Sequence, residues 1–305
     1  MIVHRAYGLR LDSCVDFPNL PTSRSNTADI TIRFGSVENL PRHKRAAASE
    51  PDSLITKDGI SLFWQHIGSL LIKNGSEIVI EPVPGMNEGS LRLALLGQGM
   101  ALLLYQRGHF VMHASAVAIN GSASAFIGEP GQGKSTVALA FCLLGHHLLA
   151  DDITALVLNG HVPLVIPAFP QLNVSPETLS ALSCNPQQFD KLEPWAEKRA
   201  YPATVHFHRT PVPLRRIYVL EEGTHTTIQP LSQLEAFLQL DRHSYNPTQL
   251  EREGTSDRRH FHQCAALVKT IPVCRATVNR SLEYVAELVE LIERDIADLG
   301  VNARS

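Results

Sequence analysis

The chain has 305 residues, 44% of them hydrophobic, which is enough for one large domain or two modest ones with a real core. Its 27 Lys and Arg stand against 30 Asp and Glu, a formal net charge of −3 that argues against a dedicated nucleic-acid binder or a polybasic membrane anchor. The five cysteines (Cys14, Cys142, Cys184, Cys264 and Cys274) form no Cys-x-x-Cys pair and read as structural thiols in a reducing compartment.

In chain order, "MIVHRAYGLRLDSCVDF" carries charges inside its apolar stretch and does not read as a signal peptide. The runs "ADITIRFG", "GISLFWQHIGSLLIKNG" and "SEIVIEP", punctuated by Gly, Pro and Asn, predict a β-rich domain over residues 1–89. Within it, "RHKRAAASEP" reads as a solvated basic loop. The breakers of "EPVPGMNEG" mark the boundary, so a second domain is expected over residues 90–305. Ser90–Tyr105 is Leu-rich at helical spacing and predicts a buried helix. Arg107 and His109 interrupt the apolar region Leu91–Ile119, so no spanning helix is expected and the protein reads as cytoplasmic, with no membrane partner.

Next comes "HASAVAINGSASAFIGEPGQGKST". Asn120-Gly121 between two apolar runs predicts a two-residue hairpin with Ile119 facing Ser122, and extending that register puts His113 opposite Gly128. Lys134–Leu144 predicts a helix, followed by Gly145 as its left-handed cap and by a short strand, "HHLLADD". A helix of about eleven residues rises roughly 16 Å and a five-residue strand covers about the same. A right-handed βαβ crossover therefore brings Asp151 and Asp152 to the sheet edge that carries the loop. Adjacent on a strand, the two side chains are expected on opposite faces. A Pro-rich region follows to Pro213, then a strand at Arg215–Glu222, a polar stretch at Asp241–His260, and a last helix, Ser281–Leu299. That helix places Leu282, Val285, Val289, Ile292, Ile296 and Leu299 on one stripe, read as docking on the domain core.

Gly128-Glu129-Pro130-Gly131-Gln132-Gly133-Lys134-Ser135, continued by Thr136, matches a full P-loop. Its glycines let backbone N–H groups converge on phosphate oxygens at a helix N-terminus, Lys134 reaches the β- and γ-phosphates, and the Ser135 hydroxyl ligates Mg²⁺. ATP and Mg²⁺ are thus the expected cofactors. One carboxylate of the Asp151–Asp152 pair is expected toward the metal and the other toward the phosphate acceptor as a base, and His113 is expected at the γ-phosphate. The pairs His146-His147, His206-x-His208 and His260-x-His262 match no established metal-ligand motif and read as non-metal.

The segment "HASAVAINGSASAFIGEPGQGKSTVALAFCLLGHHLLADD" resembles the catalytic core of the HPr kinase/phosphorylase family, in the spacing of the His before the P-loop and of the Asp-Asp after "LLA". Softer similarity in "LYQRGHFVMHASAV", "IPAFPQLNVSPETL", "EKRAYPA", "PVPLRRIYVLE" and "HQCAALVKTIPVCR" extends over most of the chain. It points to a branch of HPr-kinase-like proteins that includes lasso-peptide kinases, which phosphorylate a precursor peptide's C-terminal serine. The resemblance implies an α/β fold with a P-loop core of the HPr kinase/phosphoenolpyruvate-carboxykinase type and a smaller β-rich N-terminal domain. It also implies that Asp151 serves as base toward a serine hydroxyl, with His113 and Lys134 at the phosphate and Ser135 and Asp152 at the metal, and that the acceptor is a peptide or small protein. The chain departs from it in having Glu129-Pro130 where Ser-Gly is usual, and in lacking a downstream Arg-Gly-Leu-Gly-type signature. Lys198-Arg199 lies in a similar stretch as a candidate phosphate or peptide contact. A small-molecule kinase and a nucleotide-binding regulatory or assembly ATPase are the competing expectations.

Overall fold

The computed structural model describes residues 3–24, 27–37, 51–158, 160, 162–192, 196–246, 258–279 and 284–302; the basic loop expected at residues 42–50 and Leu282 lie outside them. The chain forms two compact units, Met1–Val111 with Tyr245–Phe261, and Met112–Ser244 with His262–Ser305. The division differs from the one expected at residue 90, because the helices after the "EPVPGMNEG" breakers pack back on the first sheet instead of opening the second unit.

The first unit holds one eight-stranded mixed sheet. Its strands are β1 (Val3–Ala6), β2 (Leu9–Ser13), β3 (Thr22–Ser23), β4 (Ile30–Phe34), β5 (Asp52–Thr56), β6 (Gly59–Trp64), β7 (Gly68–Lys73) and β8 (Glu77–Pro82), in the order β3-β1-β2-β4-β8-β7-β6-β5. The alternating runs become strands for the expected reason: Leu62, Leu70, Ile72, Ile78 and Ile80 are buried and their burial drives the pairing. The expected single helix at Ser90–Tyr105 is two helices, α1 (Glu88–Ala94), capped by the Asn87 side chain, and α2 (Met100–Gln106). The π-helical stretch Leu95–Gly99 joins them, with Gly97 at φ −85° and ψ −109° breaking the α-helical path.

The second unit is built on a nine-stranded sheet. It uses β9 (Phe110–His113), β10 (Ser115–Ile119), β11 (Ser122–Ile127), β12 (His147–Ala150), β13 (Ile153–Val157), β14 (Leu164–Ile166), β17 (Val212–Glu222), β18 (Thr227–Pro230) and β19 (Val273–Val278), while β15 (Gln171–Val174) and β16 (Arg199–Pro202) pair separately. The order is β12-β10-β11-β17-β14-β13-β9, with β19 beside β17 and β18. The Asn120-Gly121 hairpin forms in the expected register, Ile119↔Ser122, with both turn residues at positive φ (50° and 78°).

From β11 the chain runs through α3 (Lys134–Leu143) to β12. Because β10 is antiparallel to both neighbours, β12 runs parallel to β11 with β10 between them. Helix α3 packs against Val285–Asn302, and Val137, Phe141, Leu288, Val289 and Ile292 share one buried cluster, so the last helix docks on the core as its stripe predicted. The Asp295 carboxylate of that helix accepts hydrogen bonds from Arg216 (2.7 Å) and the Tyr218 hydroxyl (2.7 Å), tying it to β17.

Candidate functional site

The P-loop leaves β11 at Gly128, whose φ is 148° and where a Cβ would stand 2.7 Å from the Leu220 carbonyl oxygen of β17. Only glycine passes there without displacing the neighbouring strand. Gly131 and Gly133 are left-handed (φ 87° at both), and Gly133 opens α3, so the loop turns its amides toward the helix N-terminus as the motif requires. Lys134 is buried, and its Nζ donates to the carbonyl oxygens of Gly128 (2.8 Å) and Glu129 (3.2 Å). Burial pulls the Lys134 pKa below its usual value, and Lys198 adds to the effect against the attraction of Asp152 and Asp151. The Glu129 carboxylate is held by Arg242 (2.8 Å), at the end of the helix α5 that follows α4 (Pro176–Ala181) and spans Gln233–Arg242, with His243 at 3.9 Å.

The crossover delivers Asp151 to the same place. One oxygen of this buried side chain, Oδ1, accepts hydrogen bonds from the hydroxyls of Ser115 (2.6 Å) and Ser135 (2.9 Å), and the other, Oδ2, accepts from the Asn173 backbone N–H (2.8 Å). All three donors are neutral, and among the described residues no cation forms an ion pair with it. Burial first, and then the charge of Asp152, push the Asp151 pKa up to about 6.

The two aspartates do not alternate as expected. The strand ends at Ala150 and Asp152 turns left-handed (φ 62°), so both carboxylates end on Asn173: its side-chain amide donates to Asp152 Oδ2 at 2.6 Å. The rule of opposite faces holds only while the strand continues. The Ser135 hydroxyl, expected at the metal together with Asp152, donates to Asp151.

His113 reaches the site by a different path from the one expected. The β10–β11 ladder ends at Ser115↔Phe126, and His113 belongs to β9, so the extrapolated pairing with Gly128 is not made. Its backbone N–H donates to the His243 carbonyl oxygen (2.7 Å). Burial first, then Lys134, lower its pKa, while Asp152 and Glu129 oppose them, so the ring lies within the field of the loop and is neutral near pH 7. Of the Lys198-Arg199 pair, Lys198 acts on both His113 and Lys134, whereas Arg199 pairs with Val174 in the β15–β16 ribbon and buries an unpartnered Nε.

The fold therefore brings the expected residues Gly128–Thr136, His113, Asp151 and Asp152 close together. The residues that sequence reasoning missed are Ser115 and Asn173, which position the carboxylates, and the Arg242–His243 end of α5, which holds the loop. Thr178 adds a hydroxyl contact to Thr136 (3.1 Å). Asn173 falls inside one of the similar stretches, but nothing in its spacing from Asp151 marks it.

Among solved structures, that of the Hpr(Ser) kinase/phosphatase from Coxiella burnetii is similar to this chain, with a TM-score of 0.36 and 11% identity over 64% of this chain and 94% of that one. No family model and no curated protein matches the chain. No helix among the described residues is long and apolar enough to cross a membrane.

Proposed function

We propose that the chain is an ATP- and Mg²⁺-dependent kinase that transfers a phosphoryl group to a serine hydroxyl of a peptide or small protein. The C-terminal serine of a lasso-peptide precursor is the acceptor suggested by the sequence resemblance. The observation that carries the reading is the buried Asp151 carboxylate, satisfied only by neutral donors and sharing the Ser135 hydroxyl with the P-loop. A buried carboxylate without a cation is costly, and a bound metal removes that cost.

The residues present suit the nucleotide and its ion. A Cβ placed on Gly131 would meet nothing within 4 Å, which leaves the loop face open, and Ser135 with Asp151 offers the oxygen donors that Mg²⁺ takes. When bound, Mg·ATP supplies the transferable phosphoryl group and the positive charge that Asp151 lacks.

This chain's own groups then divide the work. Lys134, held by two carbonyl oxygens, has donors to turn toward phosphate oxygens. Asp151, committed to Ser135, belongs with the metal. Asp152, less buried and anchored by the Asn173 amide, orients the acceptor hydroxyl and takes its proton. His113, neutral near pH 7, donates a hydrogen bond to the phosphoryl group. The assignment exchanges the roles that the sequence suggested for the two aspartates, and positioning with charge stabilisation supplies most of the rate.

Incubation with Mg·ATP and serine-terminated peptides should yield a single added phosphate by mass spectrometry, lost in Lys134→Ala. Asp151→Asn should raise the Mg²⁺ requirement, and Asp152→Asn should lower kcat at saturating Mg²⁺. Release of inorganic phosphate without any phosphorylated product, across peptide and metabolite acceptors, would overturn the kinase reading in favour of an ATPase.

A further inference from the structure

The histidines that read as unrelated pairs in the sequence are sorted differently by the fold. His146 serves packing: its Nε2 lies 2.8 Å from the Glu293 carboxylate of the last helix, and its ring meets the Phe141 ring edge-on. His147 turns the other way. It lies at the start of β12, on the face opposite the buried Leu148, and it is exposed.

The outer edge of β12 receives one short segment. Leu148 forms an isolated parallel bridge with Phe207, its N–H donating to the His206 carbonyl oxygen (2.7 Å) and its own carbonyl oxygen accepting from the His208 N–H (3.0 Å). Phe207 packs on the core cluster, so the residues on either side of it, His206 and His208, project from the opposite face beside His147. The ring centroid of His147 lies 5.9 Å from that of His206 and 6.3 Å from that of His208.

We infer that His147, His206 and His208 form a binding site for a divalent transition-metal cation of the Zn²⁺, Ni²⁺ or Cu²⁺ type, separate from the nucleotide site. Three imidazoles bound tetrahedrally to one ion at about 2.1 Å have ring centroids about 5.3 Å apart, so rotation of partly exposed side chains with shifts of about 1 Å closes the set. Neutral imidazole selects borderline transition metals over Mg²⁺ and Ca²⁺, which take oxygen. The His208 ring is already held by Thr210, whose carbonyl oxygen lies 2.9 Å from Nδ1; the tautomer protonated at Nδ1 leaves the Nε2 lone pair for the ion, the usual second contact of a metal-bound histidine. The ion would staple the segment carrying His206–His208 to the edge of β12 at which Leu148 bridges Phe207.

The test is calorimetric titration of untagged, chelator-treated protein with Zn²⁺, Ni²⁺ and Mg²⁺, alongside His147→Ala, His206→Asn and His208→Asn. Expected are one equivalent of Zn²⁺ or Ni²⁺, no competition from millimolar Mg²⁺, and affinity reduced at least about tenfold in each variant. Thermal unfolding followed in parallel should show a metal-dependent rise in Tm for the wild type and a smaller rise in each variant. Circular dichroism should show each variant folded, and His147, being exposed, is the one least able to disturb the core. Wild-type protein that binds none of these ions more tightly than Mg²⁺ would overturn the inference. So would a full equivalent of Zn²⁺ retained at unchanged affinity in all three variants, which would assign it to thiols elsewhere.

Discussion

Two aspartates, one in each unit, sit in opposite electrostatic settings. Asp29 lies against Arg10, its carboxylate accepting from Arg10 Nε at 2.9 Å and from the Arg10 backbone N–H and Nη2, and this partner first of all holds its pKa down at about 2. Asp151 is more deeply buried but has two hydroxyls, one amide and a second carboxylate for company, and its pKa stands at about 6. A chain that needs a carboxylate only for stability gives it a cation. One that leaves it among neutral donors, beside a P-loop, keeps a demand for positive charge that a bound metal meets.

The largest effect that would break this contrast is on activity. Lys134→Ala and Asp151→Asn should each reduce phosphoryl transfer on the order of a thousandfold, read by mass spectrometry of the acceptor, while Asp29→Asn should leave it unchanged. Full activity in Asp151→Asn would make Asp151 no more than a buried structural group. Next in size, Asn173→Ala keeps the backbone bond to Asp151 and removes the anchor of Asp152 together with the bond from Gln171; kcat should fall by about tenfold with little change in the Mg²⁺ requirement.

The pH dependence of stability sharpens the comparison through its sign. Asp151 is raised from 3.8, so in nucleotide-free protein its contribution is fully present below about pH 4 and is lost as pH rises through about 6. Asp29 is lowered from 3.8, so its contribution is present above about pH 4 and is lost as pH falls through about 2. Melting curves of wild type against Asp151→Asn and Asp29→Asn should therefore diverge with opposite slopes; equal slopes would remove the distinction. The smallest effect is at neutral pH, where Asp29→Asn should lower Tm by a few degrees at most, because the pair is partly exposed to solvent.

Much of the site was readable because it is local. The P-loop is a run of nine residues whose glycines need positive φ, and the Asn120-Gly121 turn sets its own register, Ile119↔Ser122, through the left-handed preference of those two residues. The amphipathic stripes of α3 and the last helix likewise state which face is buried, though not against what. Reasoning failed where a local rule was carried past the end of its element. The hairpin register does not continue to His113, because the ladder stops at Ser115 and Ala114 instead takes a hydrogen bond from Thr154. The alternation of Asp151 and Asp152 fails one residue past β12, and the breakers at Glu81–Gly89 mark a turn inside a unit.

Residue order alone thus specified the glycine-rich loop and the strands and helices on either side of it, because turn chemistry, glycine conformation and side-chain periodicity act within a few positions. The tertiary structure decided which groups surround Asp151, bringing Ser115 from 36 positions away and Asn173 from 22. It likewise brought His147 to the histidines that flank Phe207. Such contacts depend on how buried strands pair and where a crossover lands, a balance of packing and desolvation over the whole sheet that no short stretch of sequence contains.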